Sequence, residues 1–304
     1  MSRPLLTVGL PVRNGEPFLS RALDAVLRQD VDGLEVVVSD NASTDRTEDI
    51  CRQAARQDRR VSYVRHPANI GAVPNYRFVL AAAQGDLFKW AAADDEISPG
   101  FLPAAVGVLA DEPDAVLAQG ECVDVDVDGR LLRRHPRLAT DGPDPVRRFH
   151  ALMGRHECLQ QYGVVRTRVL RAQRPYPAHP EGDRVVLAAL ALRGRLVHVG
   201  SVEFRRRVHA DQSLHAVRRS ADRVAWLDPA RTGDVPLPAW ELARDLLRVV
   251  HDASLTPRQR AACYLSMRTW LATGNAEKMA RNLVRAGLDL LAARRTGVAA
   301  GGAT

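Results

Sequence analysis

Asp94 and Asp95 stand side by side in the run Lys89-Trp90-Ala91-Ala92-Ala93-Asp94-Asp95-Glu96-Ile97-Ser98-Pro99, directly behind an apolar stretch with strand character. Hard divalent cations prefer carboxylate oxygens, and Mg²⁺ is usually held by one or two carboxylates together with substrate phosphates. The doublet is therefore half of a Mg²⁺ or Mn²⁺ site whose missing ligands a diphosphate can supply. A plainer role is open to the same residues, because Asp caps helices and Pro99 can start one. Three other polar clusters follow apolar runs: Pro11-Val12-Arg13-Asn14, Ser39-Asp40-Asn41-Ala42-Ser43-Thr44-Asp45, and Asn69-Ile70-Gly71. Asp40 and Asp45 can equally make Asx turns or cap a helix, and Asn69-Ile70-Gly71 can be a simple turn.

These residues form one site only if the fold brings their loops to one edge. Apolar runs predict strands at residues 5–12, 34–39, 61–65, 87–92 and 115–118, and amphipathic stripes predict helices at 17–29, 44–57, 75–84 and 99–109. Repeated βα units imply an α/β, doubly wound, mostly parallel sheet of Rossmann-like type, which binds ligands at the carboxyl ends of its strands. All four clusters sit at such ends. No Gly-x-Gly-x-x-Gly or Walker-type loop follows the first strand, which disfavours dinucleotide and P-loop readings. Asp128-Gly129 marks a hairpin within residues 123–132, and further elements are expected near 161–166 (strand), 183–193 (helix) and 195–199 (strand). Residues 216–238 are polar and Pro-bearing, three helical patterns occupy 239–252, 257–273 and 276–294, and 296–304 is Gly/Ala-rich.

Length and charge narrow the function further. A chain of 304 residues accommodates one large α/β domain with an appendage. The N-terminal run lacks a signal-peptide core, and no window approaches the roughly 18 apolar residues of a membrane span, so a cytoplasmic location is expected. The four cysteines are scattered singly, without metal or redox spacing. A net charge of +7, with arginines clustered at 133–134, 147–148, 205–207 and 218–219, suits nucleotide phosphates or an acidic membrane surface. Nucleic acid is disfavoured as a partner, since aromatics total only 5% and do not alternate with the basic groups.

On the four clusters, taken in their order along the chain, the sequence resembles the inverting family 2 glycosyltransferases of the GT-A fold. The resemblance spans residues 5–215, is strongest over 6–102, and extends to Arg205-Arg206-Arg207-Val208-His209-Ala210-Asp211-Gln212-Ser213. It implies a divalent cation (Mn²⁺ or Mg²⁺) and a nucleoside diphosphate sugar donor of UDP or dTDP type. The acceptor would be a hydroxyl of a saccharide, glycolipid or small molecule. Asp40 would accept the imide N–H of the base, Pro11 would pack beside it, and Asn14, Asn69 and Gly71 would lie along the nucleotide. Asp94 would meet the ribose and Asp95 the metal. Asp183 would be the general base, with Glu181 near enough to substitute, and the helix dipole there is expected to keep a carboxylate ionised. His209 would reach the metal or the diphosphate, and Arg206 or Arg207 would neutralise phosphate. Many relatives carry an acid two positions before Asp94, where this chain has Ala92.

The implied organisation is a catalytic domain at 1–215 (donor half 1–120, acceptor half 121–215), a linker at 216–238, a helical region at 239–295 and a disordered tail at 296–304. On the last helix Lys278, Arg281 and Arg285 share one face, while Met279, Leu283, Leu290 and Leu291 share another. That pattern suits peripheral contact with the inner membrane face, or packing against the catalytic domain or a second protomer as a homodimer. Two competing functions are a sugar nucleotidyltransferase, which usually needs a glycine-rich basic loop missing here, and a non-catalytic nucleotide-sugar-binding scaffold.

Overall fold

Strand and helix alternate along the first half of the chain in the computed structural model, which describes residues 4–210, 220–232, 234 and 237–300. β1 (Leu6–Val12), β2 (Leu34–Asp40), β3 (Val61–Arg65) and β4 (Leu87–Trp90) run parallel in the order β3-β2-β1-β4. A central parallel strand is covered on both faces and so needs an unbroken apolar run. β1 is buried at every position, and Val36, Val37 and Val38 do the same for β2. Beyond β4 come β8 (Val164–Arg166), β6 (Ala115–Val125), β9 (Arg195–Arg207) and the two-residue β5 (Glu96–Ile97), with β7 (Leu131–Arg134) hung on β6. β6 and β9 are parallel to each other, whereas β8, β7 and β5 oppose their neighbours, so the sheet is mostly parallel.

Helices cover both faces. On one side α1 (Glu16–Leu27), α2 (Thr47–Gln57) and α4 (Phe101–Asp111) bury Leu19, Leu23, Cys51, Phe101 and Leu102. Buried Leu19, Ala22, Leu23 and Val26 in α1 follow the i, i+3, i+4, i+7 stripe that makes a helix lie flat on a sheet. On the other side α3 (Ala72–Ala82), α5 (Pro145–Ala151), the short α6 (Thr167–Arg171) and α7 (Gly182–Ala191) contribute Val79, Phe149, Leu170 and Leu187 to a second cluster.

Several boundaries move. β6 and β9 are 11 and 13 residues long, far beyond their apolar segments, because they pair with each other and the polar residues of the ladder find charged partners. Residues 216–238, expected as a linker, contain α8 (Ser220–Leu227) and a 3₁₀ turn at Pro229–Arg231 capped by Asp228. Residues 211–219, 233, 235 and 236 lie outside the described residues, and with them Asp211, Gln212, Ser213, Arg218 and Arg219.

α9 (Pro238–Asp252), α10 (Pro257–Trp270) and α11 (Ala276–Ala300) complete the chain. Thr256 and Gln259 form a capping box at the start of α10, and Gly274, at φ +93°, turns the chain into α11. α11 runs past Arg294 into the stretch expected to be a disordered tail; residues 301–304 lie outside the described residues, as do the side chains of Leu290 and Leu291. The helical C-terminal region is packed on the sheet domain, since Leu246, Val250, Cys263 and Trp270 are buried in the same cluster as α5 and α7.

Candidate active site

The loops after β1, β2 and β3 are tied together by side chains acting on backbone. Asn14, in the left-handed region at φ +54°, accepts from the Thr44 N–H at 2.9 Å, while its own N–H donates to Ser43 Oγ at 2.9 Å. Asp45 accepts from the N–H groups of Glu16 and Thr47 at 3.0 Å each. Burial pushes the Asp45 carboxyl up, but the Thr47 hydroxyl and these N–H groups outweigh it and hold the group below its usual range. Asn41 donates to Asn69 Oδ1 at 2.8 Å and accepts from the Ile70 N–H at 2.7 Å, which fixes the third loop. Gly71 has φ +92°, and a Cβ there would stand 2.5 Å from Pro229 and 2.9 Å from the Leu227 carbonyl. The segment after α8 therefore covers the Asn69–Gly71 turn.

Asp40 and Pro11 are buried, Asp40 with no exposed surface. Asp40 accepts from the Ser43 N–H and the Tyr63 hydroxyl at 2.8 Å each, and Arg65 stands 3.5 Å away. In this arrangement Asp40 orders the loop through one donor on each of its oxygens.

Asp94 and Asp95 sit beyond the carboxyl end of β4, facing the end of β9. The Arg207 N–H donates to Asp95 Oδ1 at 2.9 Å, and the Arg207 guanidinium donates to the Asp94 carbonyl at 3.2 Å and pairs with Glu96. Asp95 is pushed well above its ordinary range, first by burial and then by the charge of Asp94. Behind it Lys89 is pulled down to about 7 by burial, and its ammonium donates to the Trp90 carbonyl at 3.1 Å beneath Phe101 and Phe204.

Arg206 and His209 each meet a carboxylate. Arg206 donates to both oxygens of Asp124 at 2.8 and 3.0 Å and pairs with Glu157, so its guanidinium is already matched; its charge still draws Asp95 down, while Arg207 makes the direct hydrogen bonds at the doublet. His209 Nε2 lies 3.1 Å from Asp94 Oδ2 rather than beside Asp95, with its ring 4.8 Å from Phe18.

Asp183 enters at the first turn of α7. Its Oδ1 accepts from the Arg184 N–H at 2.8 Å, yet burial outweighs that bond and the Arg184 charge, and the carboxyl is pushed up to about 6. The helix dipole alone would have kept it lower; the dry surroundings win. Glu181 turns away to Arg184 at 3.2 Å and Lys278 at 3.6 Å, which leaves Asp183 the freer carboxylate.

Aromatic residues that periodicity did not single out lie near both the doublet and Asp183. Tyr76 packs 6.2 Å from Trp90 and 5.7 Å from Tyr176, and its hydroxyl lies 3.3 Å from that of Tyr162. The Tyr76 hydroxyl is pushed up to about 12 by burial first and then by the negative charges of Asp94, Asp95 and Asp183. One ring thus lies within electrostatic reach of all three carboxylates. The aromatic pair Tyr76 and Trp90 had a signal in the sequence, since both adjoin the motifs, but nothing in their spacing distinguished them from core.

No group of three or more His, Cys, Asp or Glu side chains among the described residues is arranged to hold a metal ion. The donor chemistry nonetheless fits a cation held mostly by substrate. In an octahedron with bonds of about 2.1 Å, neighbouring donors stand about 3 Å apart, the separation between Asp94 Oδ2 and His209 Nε2. Asp94 and His209 are the pair that would share such a cation, with the rest of its ligands coming from substrate.

Comparison with known proteins agrees with this architecture. The family model for glycosyl transferase family 2 matches residues 7–171. An uncharacterised glycosyltransferase of Haemophilus influenzae is 26% identical over 133 residues, covering 44% of this chain and 53% of that protein. EpsJ of Bacillus subtilis, also an uncharacterised glycosyltransferase, is 30% identical over 95 residues, covering 31% and 27%. The chain thus spans about half or less of the length of these relatives. S. aureus TarS 1–349 in complex with UDP-GlcNAc superposes with a TM-score of 0.69 at 17% identity, over 90% of this chain and 73% of that one. The mannosyltransferase PcManGT of Pyrobaculum calidifontis, in complex with GDP-Man and Mn²⁺, gives 0.59 at 21% identity, over 98% and 81%. These likenesses show the fold, a GT-A arrangement. Matched over more than half its length, the chain belongs to glycosyl transferase family 2.

Proposed function

We propose that the protein transfers a sugar from a nucleoside diphosphate donor, of UDP or dTDP type, to a hydroxyl of a saccharide, glycolipid or small-molecule acceptor, in one inverting displacement assisted by Mn²⁺ or Mg²⁺. The observation that supports this reading is that the buried Tyr76 hydroxyl lies within electrostatic reach of Asp94, Asp95 and Asp183. A bound divalent cation would neutralise charge on the departing diphosphate. The chain's own residues do the rest. Asn14, Asn41, Asn69 and Gly71 shape the loops along the nucleotide, while Arg207 fixes Asp95 through its N–H. Asp183 takes the acceptor proton, and Trp90, Tyr76 and Tyr176 form a dry aromatic wall beside it, a surface suited to a sugar ring.

Trp240, Leu247, Leu283 and Leu288 are exposed on α9 and α11 near Arg244 and Arg281, which supports peripheral contact with an acidic membrane if the acceptor is lipid-linked. No helix among the described residues is long and apolar enough to cross a membrane.

The test is product identity. Incubation with Mn²⁺, a panel of sugar nucleotides and candidate acceptors should release nucleoside diphosphate. Pyrophosphate release would instead identify a nucleotidyltransferase, and donor binding without turnover across the panel would identify a scaffold.

A further inference from the structure

A cavity of about 360 Å³ opens between residues 173–179, α7 and α9, and none of Asp94, Asp95 and Asp183 lines it. Its volume is that of a small-molecule site. Its charge is lopsided, because six arginines face only Glu241, Asp245 and Asp252. Arg174 is matched by Asp252 at 2.7 Å, Arg231 by Glu241 at 2.7 Å, and Arg244 and Arg248 share Asp245 at 2.9 and 3.3 Å. The two that remain, Arg77 and Arg193, make no direct ion pair among the described residues; each donates at 2.9 Å to a carbonyl, of Tyr176 and Ala189 respectively, and Arg193 only shares the field of Asp252, whose direct partner is Arg174.

Guanidinium groups left to neutral acceptors can still take a bidentate oxyanion, and phosphate, with more charge and more acceptor oxygens than a carboxylate, answers the excess best. Gln173 lines the same cavity, and both its amide nitrogen and its amide oxygen are buried with no hydrogen-bond partner among the described residues. Buried polar atoms are rarely left so, and an amide that must both donate and accept is complemented by hydroxyl groups. We propose that this cavity binds a phosphorylated sugar, with its phosphate on Arg193 and Arg77 and its hydroxyls on Gln173. Tyr176 joins the cavity to the candidate active site, since its carbonyl holds Arg77 while its ring packs 5.8 Å from Trp90. The inference stands apart from the donor site, so either can fail without the other.

The test is calorimetric titration of the full chain with glucose 1-phosphate, inorganic phosphate and glucose, with and without saturating UDP and Mn²⁺. Glucose 1-phosphate should bind at least tenfold tighter than glucose under both conditions. Arg193→Gln and Gln173→Leu should each weaken it at least tenfold with unchanged melting temperature and unchanged UDP binding. If label from the donor appears on the sugar phosphate, the cavity holds the acceptor's phosphate; if only the rate of nucleoside diphosphate release changes, it holds a free effector. Absence of binding, equal binding of glucose, displacement by UDP, or full affinity in both variants would overturn the proposal.

Discussion

A carboxyl that titrates near 6 suits proton abstraction at neutral pH, being ionised there while still basic enough to accept a hydroxyl proton. Asp183 reaches about 6 because burial outweighs its hydrogen bond to the Arg184 N–H. A base works only when deprotonated, so kcat/KM should rise with pH through about 6 and level off above it. Asp183→Asn should abolish that acid limb and lower kcat by about 10²- to 10⁴-fold, whereas Glu181→Gln should keep the limb; a stopped assay across pH 4.5–8 distinguishes them. The place of the doublet behind a buried strand was legible in the sequence, because an apolar run precedes it. The pairing of Arg206 with Asp124 was not, because three consecutive arginines look alike until strand alternation and the facing residue of β6 are known.

At the scale of elements, the site depends on loops tied to one another by side chains acting on backbone. Asp45 holds the first turn of α1 and the first turn of α2 together. Asp45→Ala leaves two N–H groups without their acceptor, so it should destabilise the protein by about 1–3 kcal/mol in urea unfolding and raise the dissociation constant for UDP. Gly71→Ala meets both a positive φ and the Pro229 ring. It should displace the segment after α8, seen as faster amide exchange at residues 224–231. The motif around Asp40 raised the expectation of a nucleotide loop, and what it did not carry was that Tyr63, one strand away, donates to the Asp40 carboxylate. Such partnering depends on register across the sheet, which apolar periodicity does not encode.

For the whole molecule, the parallel order of β1 to β4 followed from βα repetition, but the lengths of β6 and β9 depended on cross-strand partners far apart in sequence. The C-terminal helices were legible as a region of their own because a polar segment precedes them, and Trp270 and Leu246 bind that region to the core under α7. Trp270→Ala should therefore cost about 3–5 kcal/mol and lower the same calorimetric transition that Leu187→Ala lowers; two independent transitions would separate the helices from the sheet. Lys278 reaching Glu181 links α11 to the candidate base region in the same way. The central claim is that residues from β4, the β9 end and α7 work as one site. Its most direct test is a double-mutant cycle on the rate of nucleoside diphosphate release by Asp95→Asn, Asp183→Asn and the pair. Each single change should cost about 10²-fold or more, and the pair should fall little further than the worse single, as groups acting on one displacement do. Full activity in either single variant would contradict the account.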